Sequence, residues 1–253
     1  MISVITATPY ISGFFVSFVL LNATLCKGNT LIGINTTSAT SIEQGEKKIN
    51  MSSLPFSNHL SCHSTVTNRR RHQIMENQKN RYASEFYKYI TSYANRYKGD
   101  TQHVLNEYAI TDCTSLGLEI LPGTPNLEEL LELDVEAAVN QIYYSLQVHS
   151  AYIYLIHHQY KEDSPRCPGT LPREKQLAAQ SLILANKQKS LVCTIETSMS
   201  LLGYNRNATY SILELEVTDL SQCSHMAIRD CQVLRSIIHL LNTMARYSQT
   251  QTL

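Results

Sequence analysis

The 253-residue chain carries 21 Lys plus Arg against 21 Asp plus Glu, a formal net charge of zero, so it lacks the clustered basic excess of a nucleic-acid-binding surface. Nine glycines and no tryptophan, with apolar residues recurring three and four apart, point to a helical protein, and the length fits one domain with extensions or two small domains.

The chain opens with an apolar run from Ile11 to Leu21. This is short of the roughly 20 residues that span a bilayer and fits the core of a secretory signal, residues 1–26, with small residues following at Ala23 and Thr24. No Lys or Arg precedes the run, so an uncleaved anchor or an early start codon are the competing readings. Asn35, Asn50 and Asn207 each head an Asn-x-Ser/Thr triplet, the acceptor pattern for glycosylation of an exported chain. Removal of Cys26 with the signal leaves Cys62, Cys113, Cys167, Cys193, Cys223 and Cys231. An even count in an oxidising compartment reads as a disulfide framework whose pairing spacing alone does not choose.

Residues 27–60 are rich in Asn, Thr, Ser and Gly without periodicity and read as an unstructured leader. Four helical patterns follow within residues 61–249, with 250–253 as a tail. The first runs from about Thr65 to Lys98, with Tyr82, Phe86, Tyr89, Tyr93 and Tyr97 on one face and Gly99-Asp100 as its stop. The second runs from Asn126, an N-cap residue followed by acidic Glu128 and Glu129, to Tyr160. Its stripe is Leu127, Leu131, Val135, Ala138, Ile142, Leu146, His149, Ile153, Ile156 and Tyr160. The third starts near Thr170, with Pro172 early and Gly203 as its end. The fourth starts near Ser221 and buries Ile228, Cys231, Leu234, Ile237, Ile238, Leu241, Met244 and Ala245. The segment Tyr210–Val217 alternates weakly, as a short strand would.

The connections run long, short, long: Gly99–Pro125, Lys161–Leu171 and Tyr204–Leu220. A helix of about 30 residues is about 45 Å long, and the two long connections each reach roughly 50 Å or more. Both suffice to cross back along a bundle, so the expected fold is all-α, a long-chain four-helix bundle running up-up-down-down with two crossover loops. A simple up-down bundle with long inserts is the alternative.

Several segments resemble the leukaemia inhibitory factor, oncostatin M and ciliary neurotrophic factor group of interleukin-6-type cytokines. "HLSCHSTVTNRRRHQI" (His59–Ile74) resembles the group's N-terminal cysteine entering the first helix, and "TDCTS" (Thr111–Ser115) a cysteine in its first long loop. "KSLVCTIETSMSLLGY" (Lys189–Tyr204) resembles the end of its third helix, and "RDCQVL" (Arg229–Leu234) the start of its fourth. The likeness covers roughly Cys62 to Tyr247. It implies the disulfides Cys62–Cys193 and Cys113–Cys231, with Cys167 and Cys223 left to pair with each other, stay free or link two molecules. It further implies a secreted, monomeric ligand that brings together two cell-surface receptors, a shared signal-transducing chain and a leukaemia inhibitory factor type receptor. One patch would be the exposed face of the first and third helices, with Arg81, Tyr82 and Lys187 as candidates. The other would be the start of the fourth helix with the end of the first loop. The group's Phe-x-x-Lys pair is absent there, since Ser224 and Ala227 hold those positions. Met226 and Arg229 form an apolar-x-x-basic pair two residues along.

An enzyme reading has only His149, His157, His158, Glu162, Asp163 and Cys167 to work with. No HExxH or GxSxG occurs, His149 lies on the apolar stripe as a core histidine, and no nucleophile, base and orienter assemble. The run Arg69–Arg71 reads by default as a solvated face, with a dibasic processing site or a glycosaminoglycan contact as the alternatives. No enzyme activity, metal, cofactor or stable membrane insertion is expected. A secreted helical carrier of an apolar ligand is the alternative to a cytokine.

Overall fold

A computed structural model describes residues 47–50, 62, 76–109, 113, 120–121, 123–161, 167, 169–205, 216–219 and 222–252. The signal-like start, Asn35 and Asn207 lie outside these residues. Five helices and two short strands are described: β1 (Lys47–Asn50), α1 (Glu76–Tyr108), α2 (Leu127–Glu132), α3 (Val135–Tyr160), α4 (Leu171–Leu202), β2 (Glu216–Asp219) and α5 (Cys223–Thr250). The described chain is thus overwhelmingly helical, as the composition implied.

α1 runs straight through Gly99 rather than ending there. Its buried face continues past the glycine through Thr101, Val104 and Leu105, in register with Ile90, Ala94 and Tyr97. One interior glycine costs about 1 kcal/mol relative to alanine. Burying a single Val or Leu repays about 1.5–3 kcal/mol, so packing carries the helix on to Tyr108. The start expected near Thr65 lies outside the described residues.

The second helical pattern is two helices. Asn126 caps α2 through a capping box, accepting from the Glu129 amide at 2.9 Å while Glu129 reaches back to the Asn126 amide at 3.1 Å. Leu133 is then extended, and Asp134 caps α3 by accepting from the Ala137 amide at 2.8 Å. The break shifts the helical phase. Leu131, expected on the core stripe, is half exposed, and Leu130 is fully buried instead. α4 follows expectation: Pro172 lies in its first turn, and Gly203 closes it at φ +79°, where a side chain would be strained.

Cross-helix contacts give the directions. Tyr82 Oη meets Ser198 Oγ at 3.2 Å, Tyr93 Oη donates to Lys187 O at 2.8 Å and Tyr97 Oη donates to Leu184 O at 3.1 Å. Rising numbers on α1 therefore meet falling numbers on α4, so the two are antiparallel. α3 and α4 are antiparallel likewise: Tyr143 meets Glu196, Gln188 Nε2 donates to Leu146 O at 2.6 Å, and His157 Nδ1 lies 2.8 Å from Ala178 O. On α1 and α5, Tyr87 stacks edge-on with Tyr247 and Lys98 reaches Asn242, again antiparallel. On α3 and α5, Tyr160 meets Asp230 and His149 senses His239. One continuous apolar core fills the space between them, with Tyr97, Leu146, Ile153, Leu177, Leu184, Leu234 and Leu241 each at 1% exposure or less.

β1 pairs antiparallel with β2, Lys47 opposite Asp219 and Asn50 opposite Glu216. β1 falls inside the segment read as an unstructured leader, and its partner begins within the weak alternation read at Tyr210–Val217, at Glu216, and runs two residues beyond it. A four-residue strand leaves too short a pattern to stand out from a polar Asn/Ser/Thr tract, so its pairing decided what its composition did not.

Candidate interaction surfaces

Three disulfides brace the helices. Cys62 is joined to Cys193 on α4 (Cα–Cα 5.5 Å), Cys113 to Cys231 on α5 (5.3 Å) and Cys167 to Cys223 at the head of α5 (5.5 Å). Each links residues 56 or more apart in sequence. Two of them converge on the first three turns of α5, which makes its head the most heavily cross-linked part of the described chain. The Leu121 amide adds a further tie, donating to Ser236 Oγ at 2.8 Å, so the chain on both sides of residues 114–119 is held against α5. Beside Cys167, the buried Glu174 carboxylate accepts from the Cys167 amide at 2.9 Å and lies 2.6 Å from Thr170 Oγ1, closing the turn into α4.

The head of α5 does not present the pair expected there. Met226 is wholly buried in the core and Arg229 is buried against Asp230. Arg229 Nε donates to Asp230 Oδ1 at 2.9 Å, its Nη2 donates to the same oxygen, and Tyr160 Oη donates to Asp230 Oδ2 at 2.7 Å. Met226 and Arg229 are therefore core residues, because the buried face of α5 spans 226–227, 229–231, 233–234 and 236–237 and is wider than the stripe inferred from spacing. Ile228, placed on that stripe, is instead 40% exposed. It shares an outward line with His225, Gln232 and Arg235, three or four residues apart. Burial raises the Asp230 carboxyl above its ordinary value; the Arg229 charge and the hydrogen bonds from Tyr160 and Arg229 offset this in part. Burial also raises the Tyr160 phenol, reinforced by the neighbouring Asp230 carboxylate, so the phenol stays protonated and donates.

Of the expected α1 and α4 residues, Tyr82 and Lys187 make contacts across the two helices. Arg81 is exposed and pairs with Glu85 one turn on at 3.1 Å, an arrangement that contributes little to stability. Tyr82 and Lys187 are half-buried. Lys187 Nζ forms an ion pair with Asp100, across the two helices. Tyr93 leans between them, its hydroxyl raised by burial. Two residues the sequence reading placed elsewhere or passed over complete this face. Tyr89, assigned to the inward stripe, is 43% exposed and stacks on Tyr93, and Ile183, one turn before Lys187, is 46% exposed. The signal for Ile183 was the run Leu182-Ile183-Leu184, in which consecutive apolar residues on a helix cannot all face inward.

His149 is a core histidine. Its Nδ1 lies 2.7 Å from Ser145 O, which can only accept, so Nδ1 carries the proton and Nε2 accepts from Thr124 Oγ1 at 3.2 Å. Burial lowers its pKa to about 4. Ser145 Oγ in turn donates to Gly123 O at 2.6 Å, so α3 holds the chain entering α2. His157 is half-buried against α4, His158 is exposed, and Glu162 and Asp163 lie outside the described residues. Among the described residues no three His, Cys, Asp or Glu stand where they could hold a metal ion, and no helix is long and apolar enough to cross a membrane. Asn50 lies in β1.

No family model, no curated protein and no solved structure matches this chain. The geometry above therefore bears the functional reading by itself. It offers two rigid outward faces, one on α1 and α4 and one at the braced head of α5.

Proposed function

We propose that the chain is a secreted cytokine of the leukaemia inhibitory factor, oncostatin M and ciliary neurotrophic factor group, folded as an up-up-down-down four-helix bundle of α1, α3, α4 and α5. The observation that carries the reading is the set of antiparallel contacts. α1 and α3 each run opposite to both α4 and α5. These contacts support a parallel first pair and a parallel second pair, the arrangement in which the chain crosses back after Tyr108 and after Leu202. The disulfides support the same reading: Cys113–Cys231 ties the first crossover to the head of the last helix, and long-range bridges of this kind belong to an oxidising, extracellular setting.

Such a ligand does no chemistry. It holds two receptor chains at once and so raises the concentration of each around the other. The face of α1 and α4, centred on Tyr89 and Ile183, engages the shared signal-transducing chain; exposed aromatic and apolar side chains on a rigid helix pair suit a protein interface. The braced head of α5, presenting His225 and Ile228, engages a second receptor. The test is binding to soluble receptor ectodomains. Tyr89→Asp with Ile183→Asp should cost one receptor tenfold or more and leave the other unchanged, and Ile228→Asp should do the reverse. Equal loss at both receptors from either variant would refute the two-face arrangement.

A further inference from the structure

An open cleft of about 820 Å³ lies between the second half of α1 and the middle of α5. Its apolar lining comes from Leu105, Ile120, Ile238 and the Cys113 bridge; Lys98 and His239 bring basic groups to it, and Arg235 Nη1 donates to Cys113 O at 3.5 Å. No carboxylate lines it among the described residues. Lys98 Nζ donates across it to Asn242 Oδ1 at 3.3 Å, a neutral partner for a charged donor. A carboxylate offered there would form a charge-assisted bond, roughly twice as strong as one to an amide.

Gly99, at the cleft, points the same way. It sits inside a 33-residue helix, not at a left-handed position, and an added Cβ would meet nothing within 4 Å. Neither backbone conformation nor internal packing requires glycine here, and alanine would make the better helix. A bare Cα on this exposed helix face leaves room for the close approach of another backbone.

We infer that this cleft docks an extended, acidic peptide loop of a partner protein, an apolar side chain on Leu105 and Ile238 and a carboxylate at Lys98, with the partner's backbone passing over Gly99. A sulfated glycan fits less well, because it would use a longer exposed basic stripe and no apolar floor. The outward line of His225, Ile228, Gln232 and Arg235 runs into the cleft, so on the reading proposed above the loop belongs to the receptor held at the head of α5.

The test uses the full disulfide-bonded chain, isotope-labelled for amide NMR. The probe is the acetylated pentapeptide Glu-Glu-Leu-Glu-Glu, with Lys-Lys-Leu-Lys-Lys and a heparin tetrasaccharide as controls. The acidic peptide should shift the amides of Gly99, Gln102, Ile238 and His239, and the shifts should vanish in Gly99→Leu and in Lys98→Glu. Gly99→Ala should raise Tm by about 2–4 °C. Absence of shifts with the acidic peptide, shifts with heparin alone, or a lowered Tm for Gly99→Ala would each overturn the inference. In parallel, Lys98→Glu should weaken one receptor ectodomain tenfold or more. Peptide shifts with silence from every receptor would leave the cleft standing and sink the cytokine reading. Receptor binding unaffected by Gly99→Leu and Lys98→Glu would do the opposite.

Discussion

Replacing Cys113 and Cys231 together by serine should lower the melting temperature by about 10 °C. The bridge spans 118 residues, but the unfolded chain is already shortened by Cys167–Cys223, which leaves 54 residues from Cys113 to Cys167 and 8 from Cys223 to Cys231 as the shortest path. Closing a loop of roughly 60 residues restricts the unfolded chain by about 4 kcal/mol, an upper figure for a chain that keeps residual structure. For a domain near 200 residues, 1 kcal/mol shifts Tm by roughly 2–4 °C, hence the expected fall. The serine pair leaves the Leu121 tie to Ser236 in place. Thermal melts followed by far-ultraviolet circular dichroism, without reductant, measure the effect. On the proposed function, the same variant should lose more affinity for the receptor assigned to the head of α5 than for the one assigned to α1 and α4. A Tm within about 2 °C of the parent would refute the claim that this bridge restricts the unfolded chain. Equal loss at both faces would refute its placement as a local brace.

His149 should make the fold acid-sensitive. Its pKa is lowered from 6.5 to about 4 in the folded chain, so its stabilising neutral form is fully favoured above about 6.5 and that contribution is lost as pH falls through about 4, to the extent of about 3 kcal/mol. Denaturant unfolding at stepped pH should show this loss, and His149→Gln should flatten it; an unchanged slope would assign the acid sensitivity elsewhere. Asp230→Ala strands the buried Arg229 and should cost about 3–5 kcal/mol, whereas Arg229→Met with Asp230→Leu should cost less, because it leaves no buried charge unpaired and strands only the neutral Tyr160 hydroxyl. Equal urea midpoints for the two variants would contradict a buried pair. Tyr97→Phe removes donors to Leu184 O and Gln188 Oε1 and leaves that amide oxygen buried, a loss of about 1–3 kcal/mol readable in the same urea titration; an unchanged midpoint would show that those bonds contribute nothing net.

Much of the helical framework could be read from spacing because long amphipathic patterns are locally determined. Thr170, Pro172 and Gly203 mark the bounds of α4, and Asn126 the cap of α2, each through the turn chemistry its residue type provides. The errors arose where packing outweighs local preference. Gly99 reads as a stop until Val104 and Leu105 are seen to be buried beyond it. Asp134 reads as one more residue on a helical run until it caps a new start. The three disulfides join the cysteines that the family resemblance and the leftover pair named, which spacing alone left open. The surface was less legible. Met226 and Arg229 looked like an outward pair because a spacing rule assigns one narrow stripe, while α5 is enclosed on a broad face by α1 and α3. Asp230 offered a clue. It falls one turn after Met226 and one before Leu234, and a charge in core register signals a buried partner, here Arg229 with Tyr160 behind it.

The most direct test of the proposed function is a panel of soluble ectodomains from the interleukin-6-type receptors, presented to the disulfide-bonded chain, with phosphorylation of a downstream transcription factor followed in responsive cells. The expected result is binding to the shared signal-transducing chain and to one second receptor, with phosphorylation abolished when either the Tyr89 and Ile183 face or Ile228 is altered. Silence against every receptor of the panel, from a chain whose melt shows it folded, would contradict it.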